Sequence, residues 1–206
     1  MADSQVIDTI FFDVGGVLLS NAWDHTERSQ ALTRFDISEA DFNARHEPLV
    51  DAFERGELSL DDYLDRTVFY EPRPFTKDDF KRTMFDLSQP KPDALQLARD
   101  LASSGKLLMA TLNNESRELN DYRIQAFGLR EMFSLFISSC YVGKRKPDKG
   151  IYQLALELTQ KPAERCCFID DRPQNLEAPS RLGMKVIQMQ GARQLREKLA
   201  KLGIDP

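Results

Sequence analysis

The run Thr9-Ile-Phe-Phe-Asp-Val-Gly-Gly-Val-Leu-Leu19 constrains this chain more than any other stretch. Four β-branched or aromatic residues end at one carboxylate, Asp13, and two glycines follow before the chain turns apolar again. Such a run reads as a strand buried on both faces. A carboxylate at its end costs too much to bury unpaired, so Asp13 must face a crevice, a cation or both. Gly15 and Gly16 let the backbone turn sharply and approach a ligand. In an open parallel sheet, ligands bind beyond the carboxyl ends of the strands. An ordinary Asp-Gly turn after a strand would give the same local pattern, so the rest of the chain has to decide.

After Ser20 the pattern changes. Residues 21–88 contain no second buried strand, only helical stretches with their own start signals. His25–Phe35 is polar with apolar positions at helical spacing. Ser38-Glu-Ala-Asp41 opens a pattern running to about Arg55, stopped by Gly56. Ser59-Leu-Asp-Asp62 opens a helix to about Phe69, and Thr76-Lys-Asp-Asp79 another to Leu87. Gln89-Pro-Lys-Pro92 reads as an exit linker. A regular alternation then begins. Helices are expected at Asp93–Ser103, Glu115–Phe127, Asp148–Thr159, Gln174–Leu182 and Ala192–Leu202. Strands are expected at Lys106–Thr111, Phe133–Ser138, Arg165–Asp170 and Met184–Met189. This spacing predicts right-handed βαβ units, hence an α/β protein with a Rossmann-like, doubly wound parallel sheet. Its core would comprise residues 1–20 and 89–206, with 21–88 an inserted helical domain.

Polar residues gather where these strands stop. Asp13 follows the first, and Thr111, Asn113 and Asn114 the second. Lys144, Arg145 and Lys146 lie in the loop after the third, and Asp170 and Asp171 end the fourth. An Asn-Asn pair is a common capping turn and Lys-Pro-Asp a common helix start. Adjacent carboxylates at a buried strand's end are more telling, because they repel unless a cation offsets them. Three carboxylates suit a hard divalent ion such as Mg²⁺. A hydroxyl, an amide and a lysine suit phosphoryl oxygens. A carboxylate beside both is a plausible nucleophile.

The order of these groups resembles the haloacid dehalogenase (HAD) superfamily across the whole chain. Asp13-Val-Gly-Gly-Val17 resembles its first motif, with Asp13 as the nucleophile. Ala110-Thr-Leu-Asn-Asn114 resembles the second, which presents a Ser or Thr to the phosphoryl group. Lys146-Pro-Asp-Lys-Gly-Ile-Tyr152 resembles the third, with Lys146, not Lys144, as the phosphate-binding lysine. Phe168-Ile-Asp-Asp-Arg-Pro-Gln-Asn175 resembles the fourth, with Asp170 and Asp171 on Mg²⁺. The resemblance implies that Asp13, the Gly15 carbonyl, Asp170 and Asp171 hold the metal. It also implies that Thr111, Asn113, Asn114 and Lys146 bind substrate, and that residues 21–88 form a cap over it.

Two departures stand out. Phosphatases of the family usually carry a second Asp two residues after the nucleophile, as general acid and base. Here that position is Gly15, and such a group is worth roughly 10²–10⁴ in rate. In the second motif Leu112 separates Thr111 from Asn113, so either residue could take the Ser/Thr role. The resemblance implies a Mg²⁺-dependent phosphatase acting on a small phosphorylated metabolite, a sugar phosphate being the best single guess, through an aspartyl-phosphate. The alternatives are a weakened HAD-fold binding or regulatory protein, or a 2-haloacid dehalogenase-like hydrolase. The missing acid leaves three answers: a good leaving group, metal-bound water, or a hinge side chain, Asp24 or His25. The first is the reading taken, with Asp24 expected to cap a helix and His25 to lie at the surface.

Composition adds boundaries. With 206 residues, 41% apolar and 30% charged, the chain fits a soluble globular protein. A net charge of −5 gives no reason to expect nucleic acid or an anionic membrane as partner. No apolar run reaches the length of a membrane span. Met1-Ala-Asp-Ser-Gln5 lacks the basic and apolar regions of a secretory signal. Cys140, Cys166 and Cys167, odd in number and two adjacent, suggest reduced thiols in a cytoplasmic protein rather than a disulfide framework. With only His25 and His46, no zinc spacing is present. Oligomeric state is left open.

Overall fold

The structure, a computed structural model, describes residues 6–205. Met1–Gln5, on which the signal-peptide reading rests, lie outside the described residues. Among the described residues the strands are β1 (Thr9–Phe12), β2 (Leu108–Asn113), β3 (Leu135–Ser138), β4 (Cys166–Asp170) and β5 (Lys185–Gln188). Helices α1 (His25–Arg34), α2 (Glu39–His46), α3 (Val50–Glu54), α4 (Leu60–Thr67) and α5 (Lys77–Asp86) fall between β1 and β2. So does α6 (Pro92–Ser103). The remaining helices are α7 (Arg117–Ala126), α8 (Ser139–Val142), α9 (Lys149–Thr159), α10 (Gln174–Arg181) and α11 (Ala192–Lys201).

The five strands form one parallel sheet in the order β3-β2-β1-β4-β5. This is the doubly wound α/β architecture expected from the alternation. β1 is central and wholly buried, which its unbroken apolar run requires. Its side chains alternate between faces. Ile10 and Phe12 join a cluster with Leu97 and Leu101 of α6 and Leu195 and Leu199 of α11. Phe11 joins another with Ile151 and Tyr152 of α9. The strand order reverses at β1, between β2 and β4, which is where such sheets open a crevice.

Residues 21–88 carry helices and no strand, and their Trp23, Phe42, Tyr63, Leu64, Phe80 and Met84 form a cluster that also takes in Leu119 of α7. Three start signals read from the sequence operate. The side chains of Ser38, Ser59 and Thr76 accept from the backbone N–H three residues on, and Thr76 and Asp79 form a reciprocal capping box. The helix expected to continue from Ser38 to Arg55 is instead two, α2 and α3. Pro48 lies in the break, where it has no N–H to donate and its ring opposes the preceding turn. The two linkers of the segment run side by side. Ser20 N–H donates to Gln89 O at 2.8 Å, Lys91 N–H to Leu18 O at 2.9 Å, and Ser20 Oγ to Leu87 O at 2.7 Å. No helix among the described residues is long and apolar enough to cross a membrane.

One polar chain crosses the aromatic cluster. Trp23 Nε1 donates to Tyr63 Oη at 3.0 Å, and Tyr63 Oη lies 2.8 Å from His46 Nδ1. Burial, reinforced by the charge of Arg28, lowers the His46 pKa from 6.5 to about 4. Below its ordinary pKa the unfolded chain therefore takes up a proton that the folded protein refuses, and stability falls as pH drops from 6.5 towards 4. Chemical denaturation of wild type and His46→Gln across that window checks this. The variant should lose about one proton's worth of the slope of stability against pH, and an unchanged slope would contradict the buried, neutral imidazole.

Candidate functional site

The register of the sheet assembles the site. Phe12 is level with Ile169 on β4, so the next residues, Asp13 and Asp170, stand side by side at the carboxyl ends of adjacent strands. Both are buried, Asp170 completely. Asp171 follows, and one carboxylate oxygen from each of the three lies within 4.8 Å of the others. Lys146 reaches them from the loop between α8 and α9. Its Nζ is 2.8 Å from Asp13 Oδ1 and 2.6 Å from Asp170 Oδ2. Burial works against the charge on Lys146, yet the two carboxylates carry its pKa above the ordinary value. Asp170 is further held by the Arg172 N–H at 2.8 Å and by Asn175 Nδ2 at 3.0 Å. Burial raises the Asp13 pKa against the pull of Lys146. It also raises that of Asp171, and Asp170 adds repulsion.

Asp13 presents its two oxygens unequally. Oδ1 accepts from the Val14 N–H at 2.8 Å and from Lys146, which leaves Oδ2 the less engaged. Asp171 Oδ1 is buried with no hydrogen-bond partner. A carboxylate oxygen in that state needs a cation or a proton. The donor set around it, all carboxylate oxygen, fits a hard divalent ion.

The site opens into a cavity of about 250 Å³. Its floor includes Asp13, Gly15, Asn114, Lys146 and Asn175, and its helical wall Trp23, Arg28, His46, Val50 and Phe53. Of the residues read from sequence, Asn114 enters this cavity while Thr111 and Asn113 do not line it. β2 runs two residues beyond its expected end at Thr111, to Asn113. Thr111 is thereby level with Phe12 inside the sheet, fully buried, its hydroxyl unpartnered. Asn113 donates to Asn120 Oδ1 at 3.0 Å and accepts from Ser138 Oγ at 2.9 Å. Asn114 instead clamps the backbone of Lys146, accepting its N–H at 2.8 Å and donating to its carbonyl at 2.9 Å. Lys144 is exposed.

Gly15 lies on the cavity floor, where a Cβ would sit 3.4 Å from Asn21 Oδ1 and 3.8 Å from Arg123 Nη1. The position of the expected acid therefore faces a guanidinium. Arg123, almost fully buried, pairs with Glu115 at 2.9 Å and donates to the Ser20 carbonyl. Burial, resisted by Arg123, pushes the Glu115 pKa up to about 7. This pair was not legible in the sequence, where the two residues read as one helix end and one helix face. Of the hinge residues, Asp24 stands at the N-cap of α1 but its side chain does not cap. It pairs with Arg172 at 2.7 Å and lines the cavity. His25 is exposed, 3.3 Å from Glu39.

At the switch point of this parallel α/β sheet stand a buried Asp-Lys-Asp cluster and a third carboxylate with an unpartnered oxygen. The chain belongs to the haloacid dehalogenase-like hydrolase family, whose model matches residues 7–183. It is 26% identical over 218 residues to bifunctional epoxide hydrolase 2 of Sus scrofa, covering 93% of this chain and 38% of that protein. It is 40% identical over 68 residues to flavin mononucleotide hydrolase 1, chloroplastic, of Arabidopsis thaliana, covering 32% of this chain and 27% of that one. The chain thus spans well under half the length of these curated relatives. A HAD family enzyme of Bacteroides thetaiotaomicron has the same fold, with TM-score 0.79 at 17% identity, over 93% of this chain and 99% of that one. That enzyme has also been crystallised with magnesium and inorganic phosphate.

Gly15 and Gly16, which follow Asp13 and Val14, differ in what they tolerate. Gly16 has φ +72°, and a Cβ there would overlap the Asp171 carboxylate. Gly15 has no such conformation and no contact tighter than ordinary packing. Gly16→Ala should lose about 1–2 kcal/mol from backbone strain alone, measured by denaturant unfolding, while Gly15→Ala should stay within about 0.5 kcal/mol of wild type. Equal stability of the two variants would contradict the tight approach at Gly16.

Proposed function

We propose that the protein is a Mg²⁺-dependent phosphatase that hydrolyses a small phosphate monoester through an aspartyl-phosphate on Asp13. The observation that carries this reading is the buried, unpartnered Oδ1 of Asp171 beside Asp13 and Asp170, with Lys146 across the site. Asp13, the Gly15 carbonyl, Asp170 and Asp171 would hold the ion, which would supply charge neutralisation for a bound phosphoryl group. The metal-bound and phosphate-bound enzyme of B. thetaiotaomicron supports this. So does the name of the flavin mononucleotide hydrolase. A dehalogenase of the same fold would not need the third carboxylate.

Asp13 Oδ2 attacks phosphorus while Oδ1 stays on Val14 N–H and Lys146. The bond to the leaving oxygen breaks, and water then attacks the acyl phosphate to release phosphate and regenerate Asp13. Lys146 offsets the charge that grows on the phosphoryl oxygens, and Asn114 keeps the Lys146 backbone in place. Leaving-group protonation falls to no residue at position 15, so the reading favours substrates whose leaving oxygen departs readily, an anomeric sugar phosphate among them. Residues 21–88 act as a cap. Their α3 is tied to the core through Arg55 to Gly143 O and Asp148, and through Arg145 to Asp51 and Glu54.

Hydrolysis of p-nitrophenyl phosphate, with and without Mg²⁺, tests the reading. Turnover should require the ion and fall on the order of 10³-fold or more in Asp13→Asn. Millimolar Mg²⁺ should also raise the melting temperature by mass action. Metal-independent turnover, or full activity in a folded Asp13→Asn, would overturn it.

A further inference from the structure

Most cations lining the cavity are already neutralised. Lys146 lies on Asp13 and Asp170, Arg123 on Glu115, Arg145 on Asp51 and Glu54, and Arg172 on Asp24. Arg28, on α1, is different. Among the described residues no carboxylate lies within ion-pair reach of it. Its Nη1 donates to the Trp23 carbonyl at 3.0 Å, and its buried Nε has no acceptor. Leaving such a donor unsatisfied is costly. The guanidinium is half-buried in the helical wall, facing the same space as the nucleophile.

His46 stands in the same wall with a defined tautomer. Trp23 Nε1 can only donate, so the Tyr63 hydroxyl accepts from it and turns its own proton to His46 Nδ1. A neutral imidazole then carries its proton on Nε2, which has no acceptor among the described residues. The ring stacks on Phe42, and Tyr63 stacks on Phe53 with ring centroids 4.0 Å apart, so neither residue is free to turn. Arg28 and His46 both line this one cavity.

We propose that Arg28 and the Nε2–H of His46 form a second oxyanion subsite in the helical wall, and that the substrate is a small phosphate ester bearing a carboxylate. This deepens the phosphatase reading and rests on it. A guanidinium fork and one neutral N–H match the coplanar oxygens of a carboxylate. Because His46 stays neutral at pH 7, the subsite carries one positive charge, which suits a carboxylate better than a second phosphate dianion. A cavity of about 250 Å³ admits only a short molecule between the two ends, being smaller than the roughly 300–1,000 Å³ of drug-sized pockets.

Equilibrium binding to Asp13→Asn in the presence of Mg²⁺ tests the subsite without turnover. The probes, which report affinity for the two anionic ends and not leaving-group reactivity, are phosphoglycolate against ethylene glycol monophosphate, 3-phosphoglycerate against glycerol 3-phosphate, and propane-1,3-diol bisphosphate. At least one carboxylate should bind about tenfold or more tightly than its neutral counterpart, since a hydrogen bond to a charged group is worth about 1.5–3 kcal/mol. Adding Arg28→Gln should bring that ratio to about one, and Arg28→Lys should give an intermediate value. Equal affinities within both pairs would overturn the proposal. So would a preference that survives Arg28→Gln in a variant of unchanged melting temperature, or tighter binding of the bisphosphate than of either carboxylate. Failure of the phosphatase reading shows separately, as absent hydrolysis of p-nitrophenyl phosphate by wild type.

Discussion

Two buried carboxylates on neighbouring strands cannot stand together without positive charge between them, and Lys146 supplies it. The parallel register of β1 and β4 forces Asp13 and Asp170 into adjacency. Lys146 Nζ bridges them from a loop in another part of the chain, and Asn114 fixes that loop by gripping both the N–H and the carbonyl of Lys146. Removing one member of such a buried set leaves a charge uncompensated, a loss that typically reaches 3–5 kcal/mol. The lysine thus holds the two strand ends together as part of the fold. Asp171 makes no ion pair among the described residues and keeps one buried oxygen without a hydrogen-bond partner, whereas Asp170 beside it is paired with Lys146.

Much of this was legible in the sequence because local and global signals agree. The unbroken apolar run ending at Asp13 marked the central strand. The hydroxyl-x-x-carboxylate starts at Ser59 and Thr76 marked helices that do begin there. What was not legible depended on register or on distant partners. The end of β2 was read at Thr111 because the Asn pair looked like a turn. Pairing with β3 carries the strand to Asn113, which turns Thr111 into an interior residue. The Glu115–Arg123 pair and the role of Asn114 had no sequence signal beyond residue type. Nor did Arg28 or His46, which become notable because the buried Arg28 Nε has no hydrogen-bond partner among the described residues and both side chains line the cavity.

The helical segment joins an aromatic interior to a polar wall. Its cluster of Trp23, Phe42, Phe53, Tyr63 and Phe80, completed by Leu119 of α7, encloses the Trp23–Tyr63–His46 chain. Buried polar groups are tolerated when every member is satisfied, and they then fix orientation. Here the interior end of the chain is closed by Trp23 and Tyr63, and His46 at its other end lines the cavity.

The pairing of the two linkers at Ser20 and Gln89 has a consequence for how the chain folds. Because entry and exit are hydrogen-bonded neighbours, the sixty-odd residues between them form a loop whose ends already meet. Closing such a loop costs entropy that grows only with the logarithm of its length. The sheet can therefore assemble β1 against β2 with nearly the same penalty whatever the segment contains. The segment is free to vary in length and sequence, and with it the wall of the cavity, while the strand ends that carry Asp13 and Asp170 stay in register.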